Sequence, residues 1–187
     1  DVEEVRSYPY GEAFAHVVGY VQTPNDNDID NDHPDAERLL RHPGFRIGKN
    51  GVEIAREDQL RGAAGALKTE VDARGRIIRE LPDQSIPPQS GLDAVLTLDA
   101  DIQRYASERL GEESASAVVI DVNTGELIAL VSNPSFDPNL FVLGISTADY
   151  ARYRDDDHRP LFQKSIQGTY PPGSTFKGIV AAAALEH

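Results

Sequence analysis

At 187 residues, 40% hydrophobic and 26% charged, the chain has the composition of ordinary water-soluble protein, with room for one good core or two small ones. Its net charge of −13, from 31 acidic against 18 basic residues, argues against nucleic acid and anionic membrane surfaces as partners. The absence of cysteine removes disulfides and thiolate metal sites. No apolar run approaches the ~18 residues of a membrane span, and no charged-then-apolar signal segment opens the chain. With no methionine anywhere, Asp1 is expected to mark a boundary inside a longer protein.

In chain order, His16 to Val21 reads as a strand, and His16 on it as a core residue rather than a metal ligand. An acidic stretch comes next. Asp26, Asp28, Asp30 and Glu37 stand at the spacing of a calcium-binding loop, with Asn31 replacing the usual glycine. The flanks fit that reading poorly, since a strand and Pro24 precede it and Pro34 interrupts it, so a solvated acidic connector is the preferred reading. Glu37 to Arg41 reads as a short helix, Val52 to Leu60 as a helix stopping at Gly62, and Lys68 to Glu80 as a hairpin turning at Ala73-Arg74-Gly75. Leu81 to Gly91 carries three prolines and few large apolar groups, which marks residues 82–91 as a linker between two independently packed units, 1–81 and 92–187. Beyond it, Ala94 to Leu98 reads as a strand. Asp99 caps a helix through Leu110, and Ser116 to Asp121 pairs with Leu127 to Ser132 across Asn123-Thr124-Gly125. Ser146 with Asp149 forms a capping box that opens a helix to about Arg154.

The chemistry concentrates in Tyr170-Pro171-Pro172-Gly173-Ser174-Thr175-Phe176-Lys177. A serine hydroxyl is a poor nucleophile until a neighbour takes its proton. Lys177, three residues on, shares a helical face with Ser174 and sits in the first turn, where the helix dipole disfavours a charged ammonium. Ser-x-x-Lys by itself is cheap, with about one chance match expected in a chain this long. Pro171-Pro172-Gly173 adds specificity by ending an irregular segment just ahead of the helix. Phe176, Ile179, Val180, Ala183 and Ala184 recur at helical spacing, which predicts a helix buried on one side. The plain alternative is a Pro-Gly turn with Ser174 as a helix cap and Lys177 solvated. Other nucleophile and phosphate motifs are absent: Pro43 stands where a phosphate loop needs glycine before Gly48-Lys49, and no Gly-x-Ser-x-Gly surrounds Ser174.

Several ordered strings resemble the class B penicillin-binding proteins, most closely the penicillin-binding protein 2 type that works in cell elongation. Arg6-Ser7-Tyr8-Pro9-Tyr10-Gly11, His16-Val17-Val18-Gly19-Tyr20-Val21, Gly48-Lys49-Asn50-Gly51-Val52-Glu53, Leu60-Arg61-Gly62 and Arg74-Gly75-Arg76 look like that family's non-catalytic pedestal. Thr97-Leu98-Asp99, Asp121-Val122-Asn123-Thr124-Gly125-Glu126 and Ser132-Asn133-Pro134-Ser135-Phe136-Asp137-Pro138-Asn139 look like the opening of its transpeptidase domain, and Ser-x-x-Lys is among the family's motifs. The chain departs from the pattern at Gln163-Lys164-Ser165, where relatives usually carry Asn-Arg-Ala. It also lacks the downstream Ser-x-Asn and Lys-Thr-Gly or Lys-Ser-Gly motifs.

The resemblance implies an α+β fold: a small mixed pedestal module over 1–81, then the N-terminal part of a penicillin-recognising serine-transferase domain over 92–187, truncated after the Ser-x-x-Lys helix. It implies a peptidoglycan D,D-transpeptidase with Ser174 as nucleophile and Lys177 as base, acting on stem peptides, acylated by β-lactams and needing no cofactor or metal. It further implies a periplasmic parent held in the inner membrane by an N-terminal anchor not found in this chain, with membrane-bound elongation-complex proteins as partners. Two other readings stay open. A non-catalytic interaction module would use the pedestal half alone, and a serine β-lactamase-like protein would share Ser-x-x-Lys but would need no pedestal.

Overall fold

The structure, a computed structural model, describes residues 5–25, 28, 40 and 44–186. A 3-10 turn at Gly11–Ala13 leads into the short helix α1, Ala15–Val18. Val21–Gln22 (β1) then pairs antiparallel with Ile47–Gly48 (β2). The single strand expected over His16 to Val21 is therefore corrected to a helical turn and a two-residue strand. The Phe14 carbonyl accepts both the Val17 and Val18 N–H groups at 3.0 and 2.8 Å, and Ala15 and His16 are buried by packing, which outweighs the β propensity of the valines. Gly19 ends α1 at φ 84°.

Gly51–Ala55 (α2) and Glu57–Leu60 (α3) replace the one helix expected from Val52 to Leu60, with a break at Arg56. The backbones of α1 and α2 meet at two glycines. A Cβ on Gly19 would lie 2.0 Å from the Asn50 carbonyl oxygen, and one on Gly51 would lie 2.5 Å from that of Val17. Here only glycine fits, because no side chain can share that space. The crossing aims Glu53 inward, where its buried carboxylate takes Arg6 Nε at 2.9 Å and the Tyr8 hydroxyl at 3.2 Å. That hydroxyl in turn accepts the Val21 N–H at 2.9 Å. Burial, reinforced by the Glu53 carboxylate, pushes the Tyr8 hydroxyl well above the usual tyrosine range, so it stays a donor.

The acidic stretch lies outside the described residues except for Asp28, whose carboxylate accepts the Asn25 N–H at 2.6 Å and pairs with the Lys49 ammonium. Of the helix expected over Glu37 to Arg41, only Leu40 is described, and it is buried.

Thr69–Val71 (β3) and Ile77–Glu80 (β4) form the expected hairpin. Asp72 closes it by accepting the N–H groups of Arg74 and Arg76 at 2.8 and 3.0 Å. The stretch expected as a linker runs back along the hairpin's base. Ala66 and Ile86 exchange two hydrogen bonds, Ala63 and Gln89 exchange two more, and the Leu92 N–H reaches the Gln59 carbonyl. The strand expected over Ala94 to Leu98 is not formed. Among the described residues, the segment and the Asp99 that follows it bond their neighbour through the Thr97 hydroxyl on the Leu127 carbonyl at 2.7 Å and the Asp99 N–H on the Ile128 carbonyl at 2.9 Å. Two isolated bonds do not make a ladder.

Asp99 caps Ala100–Leu110 (α4) by accepting the Asp101 and Ile102 N–H groups. Ala115–Ile120 (β5) and Leu127–Asn133 (β6) pair antiparallel as expected, with Ser116 opposite Ser132. Asn139–Val142 (α5) and Thr147–Arg154 (α6) come next, the second opened by the Ser146 hydroxyl accepting the Asp149 N–H at 3.0 Å.

Both buried clusters draw on both sides of residues 82–91. Tyr8 and Val21 pack with Val142, and Ala15 packs with Phe136 and Phe141. Tyr8 and Asn139 exchange two hydrogen bonds across the same seam, and Arg46 Nε donates to the Val142 carbonyl at 3.1 Å. Gln103 on α4 completes the junction. Fully buried, its amide nitrogen donates to the carbonyls of Ala13 and Leu130 at 2.8 and 2.9 Å, and its oxygen accepts the Leu130 N–H at 2.8 Å. It pairs with β6 much as a strand residue would. Gln103→Leu keeps the volume but strands three backbone groups, so a loss of roughly 3 kcal/mol in unfolding free energy is expected by urea titration.

Candidate active site

Lys164–Gln167 (α7) is the last element packed on the sheet before the proposed nucleophile. Its first residue is held by β6: the Lys164 N–H donates to Ser132 Oγ at 2.9 Å, and that hydroxyl donates to the Phe162 carbonyl at 3.3 Å. Lys164 is buried, and its ammonium reaches the Arg159 carbonyl at 3.3 Å. Burial, aided by the nearby Arg159 charge, holds Lys164 below the usual lysine range. Ser165 Oγ is buried with no partner. Where relatives are expected to carry arginine and alanine, this chain thus has a lysine that finds a carbonyl and a hydroxyl that finds nothing.

Gly168 lets the chain turn away, since a Cβ there would sit 2.4 Å from the Tyr170 ring. Pro171 and Pro172 keep the residues ahead of the turn extended, and Gly173 at φ 53° opens a 3-10 turn, Gly173–Phe176. The Pro172 carbonyl accepts the Thr175 N–H at 3.2 Å and is also bonded by the Thr175 hydroxyl. Lys177–Glu186 (α8) continues directly, with the Lys177 N–H on the Ser174 carbonyl. Ser174 and Lys177 thus share one turn, as their spacing predicts. Among the described residues the Ser174 hydroxyl takes no hydrogen bond, so the capping role offered as the plain alternative is not seen. No bond joins it to the Lys177 ammonium either.

The apolar stripe of α8 departs from expectation. Residues 169–186 are all exposed, Phe176 at 49%, Ile179 at 62% and Val180 at 55%. Periodicity marks which face of a helix seeks cover, but cover must come from another element, and none of the described ones reaches it. A cavity of about 460 Å³ lies elsewhere, lined by Arg6, Glu53, Leu60, Leu92 and Leu96. Among the described residues, no three metal-ligating side chains gather, and no helix is long and apolar enough to cross a membrane.

Ser132 and Gln103 were not singled out by sequence reasoning, although Ser132 stands in one of the family-like strings, and Lys164 was noted only as a departure from the family pattern. A buried polar group at the meeting point of distant segments carries no local signal.

Known proteins resemble the chain along its length. The Penicillin-binding Protein dimerisation domain family matches residues 1–96, and the Penicillin binding protein transpeptidase domain family matches residues 115–187. The Peptidoglycan D,D-transpeptidase MrdA of Escherichia coli K12 is 46% identical over 180 residues, which cover 96% of this chain and 28% of that protein. Its counterpart in Acinetobacter baumannii is 43% identical over 187 residues, all of this chain and 27% of that protein. The chain thus spans little more than a quarter of these relatives. Among solved structures, Pseudomonas aeruginosa PBP2 in complex with WCK 5153 superposes with a TM-score of 0.79 at 39% identity, covering 97% of this chain and 35% of that one. Helicobacter pylori PBP2 in complex with MreC superposes at 0.83 and 28% identity, covering 98% and 33%.

Ser165→Ala removes the orphaned hydroxyl without opening a cavity larger than one oxygen. The melting temperature is expected to rise, by an amount equivalent to roughly 1 kcal/mol, in a calorimetric scan.

Proposed function

The chain belongs to the penicillin-binding protein family, and from that premise we propose that it is the pedestal and nucleophile-bearing part of a peptidoglycan D,D-transpeptidase. The observation that carries the reading is the turn that holds Ser174 and Lys177 together, with the serine hydroxyl uncommitted, in a chain whose two halves match the family's two domains in order.

In the parent enzyme Ser174 Oγ attacks the carbonyl between the two terminal D-alanines of a donor stem peptide while Lys177 accepts its proton. The tetrahedral oxyanion is stabilised by backbone N–H groups, that of Ser174 among them. The intermediate collapses to an ester on Ser174 as the amide bond breaks, and the departing D-alanine amine takes up the proton. A neighbouring stem's amine then attacks the ester, forming the cross-link and returning the proton to Ser174. A β-lactam enters the first step only, its ring opening as the serine ester forms. The residues named require neither metal nor organic cofactor. The parent is periplasmic and anchored in the inner membrane, and 82–91 is the boundary between a pedestal, 1–81, and the transpeptidase portion, 92–187.

A second reading assigns the pedestal half a docking role in the elongation complex. What supports it is the resemblance to Helicobacter pylori PBP2 solved in complex with MreC, on which the chain superposes with a TM-score of 0.83. The two readings are compatible in one parent protein.

Acyl transfer needs a preorganised pocket, and losing one oxyanion donor typically costs about 3 kcal/mol of transition-state stabilisation. With residues 169–186 exposed, this chain alone is expected to give no lasting adduct with a fluorescent penicillin by intact-mass analysis. The full-length parent should label stoichiometrically and lose the label in Ser174→Ala. An adduct on Ser174 of the isolated chain would refute the inactivity, and an unlabelled parent would refute the enzyme.

Limited proteolysis tests the boundary. The first cut is expected within 82–91, where exposure is high, ahead of any cut in 95–132. The two pieces should still co-elute in gel filtration, because the aromatic cluster spans them.

A further inference from the structure

His16 lies where the two halves meet, and its surroundings suit only the neutral imidazole. It comes from α1, yet the groups around it come from the other half. Its ring is 8% exposed, stands edge-on to Phe136 at 5.2 Å and 88°, and hydrogen-bonds the Pro160 backbone, while Nε2 is buried without a partner. Lys164 of α7, itself 5% exposed, is the charged group whose field reaches it. Arg159 and Asp156 act in turn on that lysine, with opposite signs. On the N-terminal side Glu12 faces Asp137 across the same seam. Among the described residues no carboxylate bonds the imidazole.

We propose that this contact is an acid-sensitive joint: protonating His16 adds a second cation near Lys164 in a buried seam where no described carboxylate bonds the imidazole, and the seam between α1 and Phe136 opens. Like charges in a site closed to solvent repel strongly. The tyrosines nearby, Tyr20 and Tyr153, do not ionise in the relevant range.

The direction of the effect is set by linkage. Burial first, and the Lys164 charge with it, lower His16 from 6.5 to about 4, against the opposing pull of the Pro160 bond. The closed joint therefore binds fewer protons than the open one. Its stability is fully present above the solvent value of 6.5 and is lost as pH falls toward 4. Those two values imply a drop of roughly 20-fold in the closed-to-open ratio between pH 7 and pH 5. Glu12, raised by burial and then by Asp137, acts in the opposite sense. Its contribution grows as pH falls through its raised value, so the comparison with His16→Gln isolates the share of the imidazole.

Amide hydrogen exchange on the whole chain tests the joint, after correction for the intrinsic effect of pH. The Val18 and Gly19 amides, bonded to the Phe14 and Ala15 carbonyls at 2.8 Å, report on α1, and the Leu81 amide on the distant hairpin serves as control. Protection of the α1 amides is expected to fall about 20-fold from pH 7 to pH 5 with little change at Leu81, and the fall should vanish in His16→Gln, which keeps a donor but cannot become a cation. Equal pH dependence in that variant, or none in the unmodified chain, overturns the proposal. Should the variant fail to fold, the His16 C2 proton of the unmodified chain decides by its NMR titration: a midpoint below 5 supports the joint, and one of 6 or above overturns it.

Discussion

One buried ring organises the molecule. Phe136, 1% exposed, has His16 at 5.2 Å and Tyr20 at 5.9 Å on one side of the seam, and Phe141 at 5.4 Å and Tyr153 at 6.4 Å on the other. All four contacts are edge-to-face, the arrangement the ring quadrupole favours. Truncating such a ring to alanine typically costs roughly 3–5 kcal/mol, a large share of a small protein's net stability. The segments it gathers are more than a hundred residues apart, so this cluster, rather than any single element, makes the two halves one body.

The polar contacts depend on that placement. Once Phe136 and Phe141 draw α1 against the second half, the Ala13 carbonyl and the Leu130 backbone are shut away from water and must be satisfied. Gln103 meets all three groups, and Asn139 and Arg46 do the same for Tyr8 and Val142. Ser132 extends the scheme toward the proposed nucleophile by fixing the start of α7. Order then stops. Past Gly168 the chain carries Ser174 and Lys177 on a turn that its own backbone bonds preserve, while the surroundings that acyl transfer requires are not contributed by any described residue.

Physical range separates the features legible in the sequence from those that were not. Asp99 and Ser146 were legible as caps because the N–H groups they serve lie two or three residues away. Both hairpins were legible from their turns, Ala73-Arg74-Gly75 and Asn123-Thr124-Gly125, which in the structure Asp72 and Asp121 close by accepting nearby amides. The Ser174–Lys177 pairing is also local, being one turn of backbone. By contrast, His16 to Val21 looked like a strand because valines favour strands, yet burial of Ala15 and His16 bends it into a helix. Ala94 to Leu98 has strand-like residues but no ladder, since a strand exists only by virtue of its neighbour.

Read from sequence alone, the caps, both tight turns, the Ser-x-x-Lys spacing and, through the ordered strings, the family were legible. These depend on interactions spanning a few residues, which recur wherever the same residues occur at the same spacing. Only folding makes Phe136 join the halves, sets Gln103 in the place of a strand residue, bonds residues 82–92 back to 59–66 and brings the charge of Lys164 to bear on His16. Each of these depends on which distant groups share a dry space, and the cost of leaving any of them unpaired there does not exist until the chain has folded.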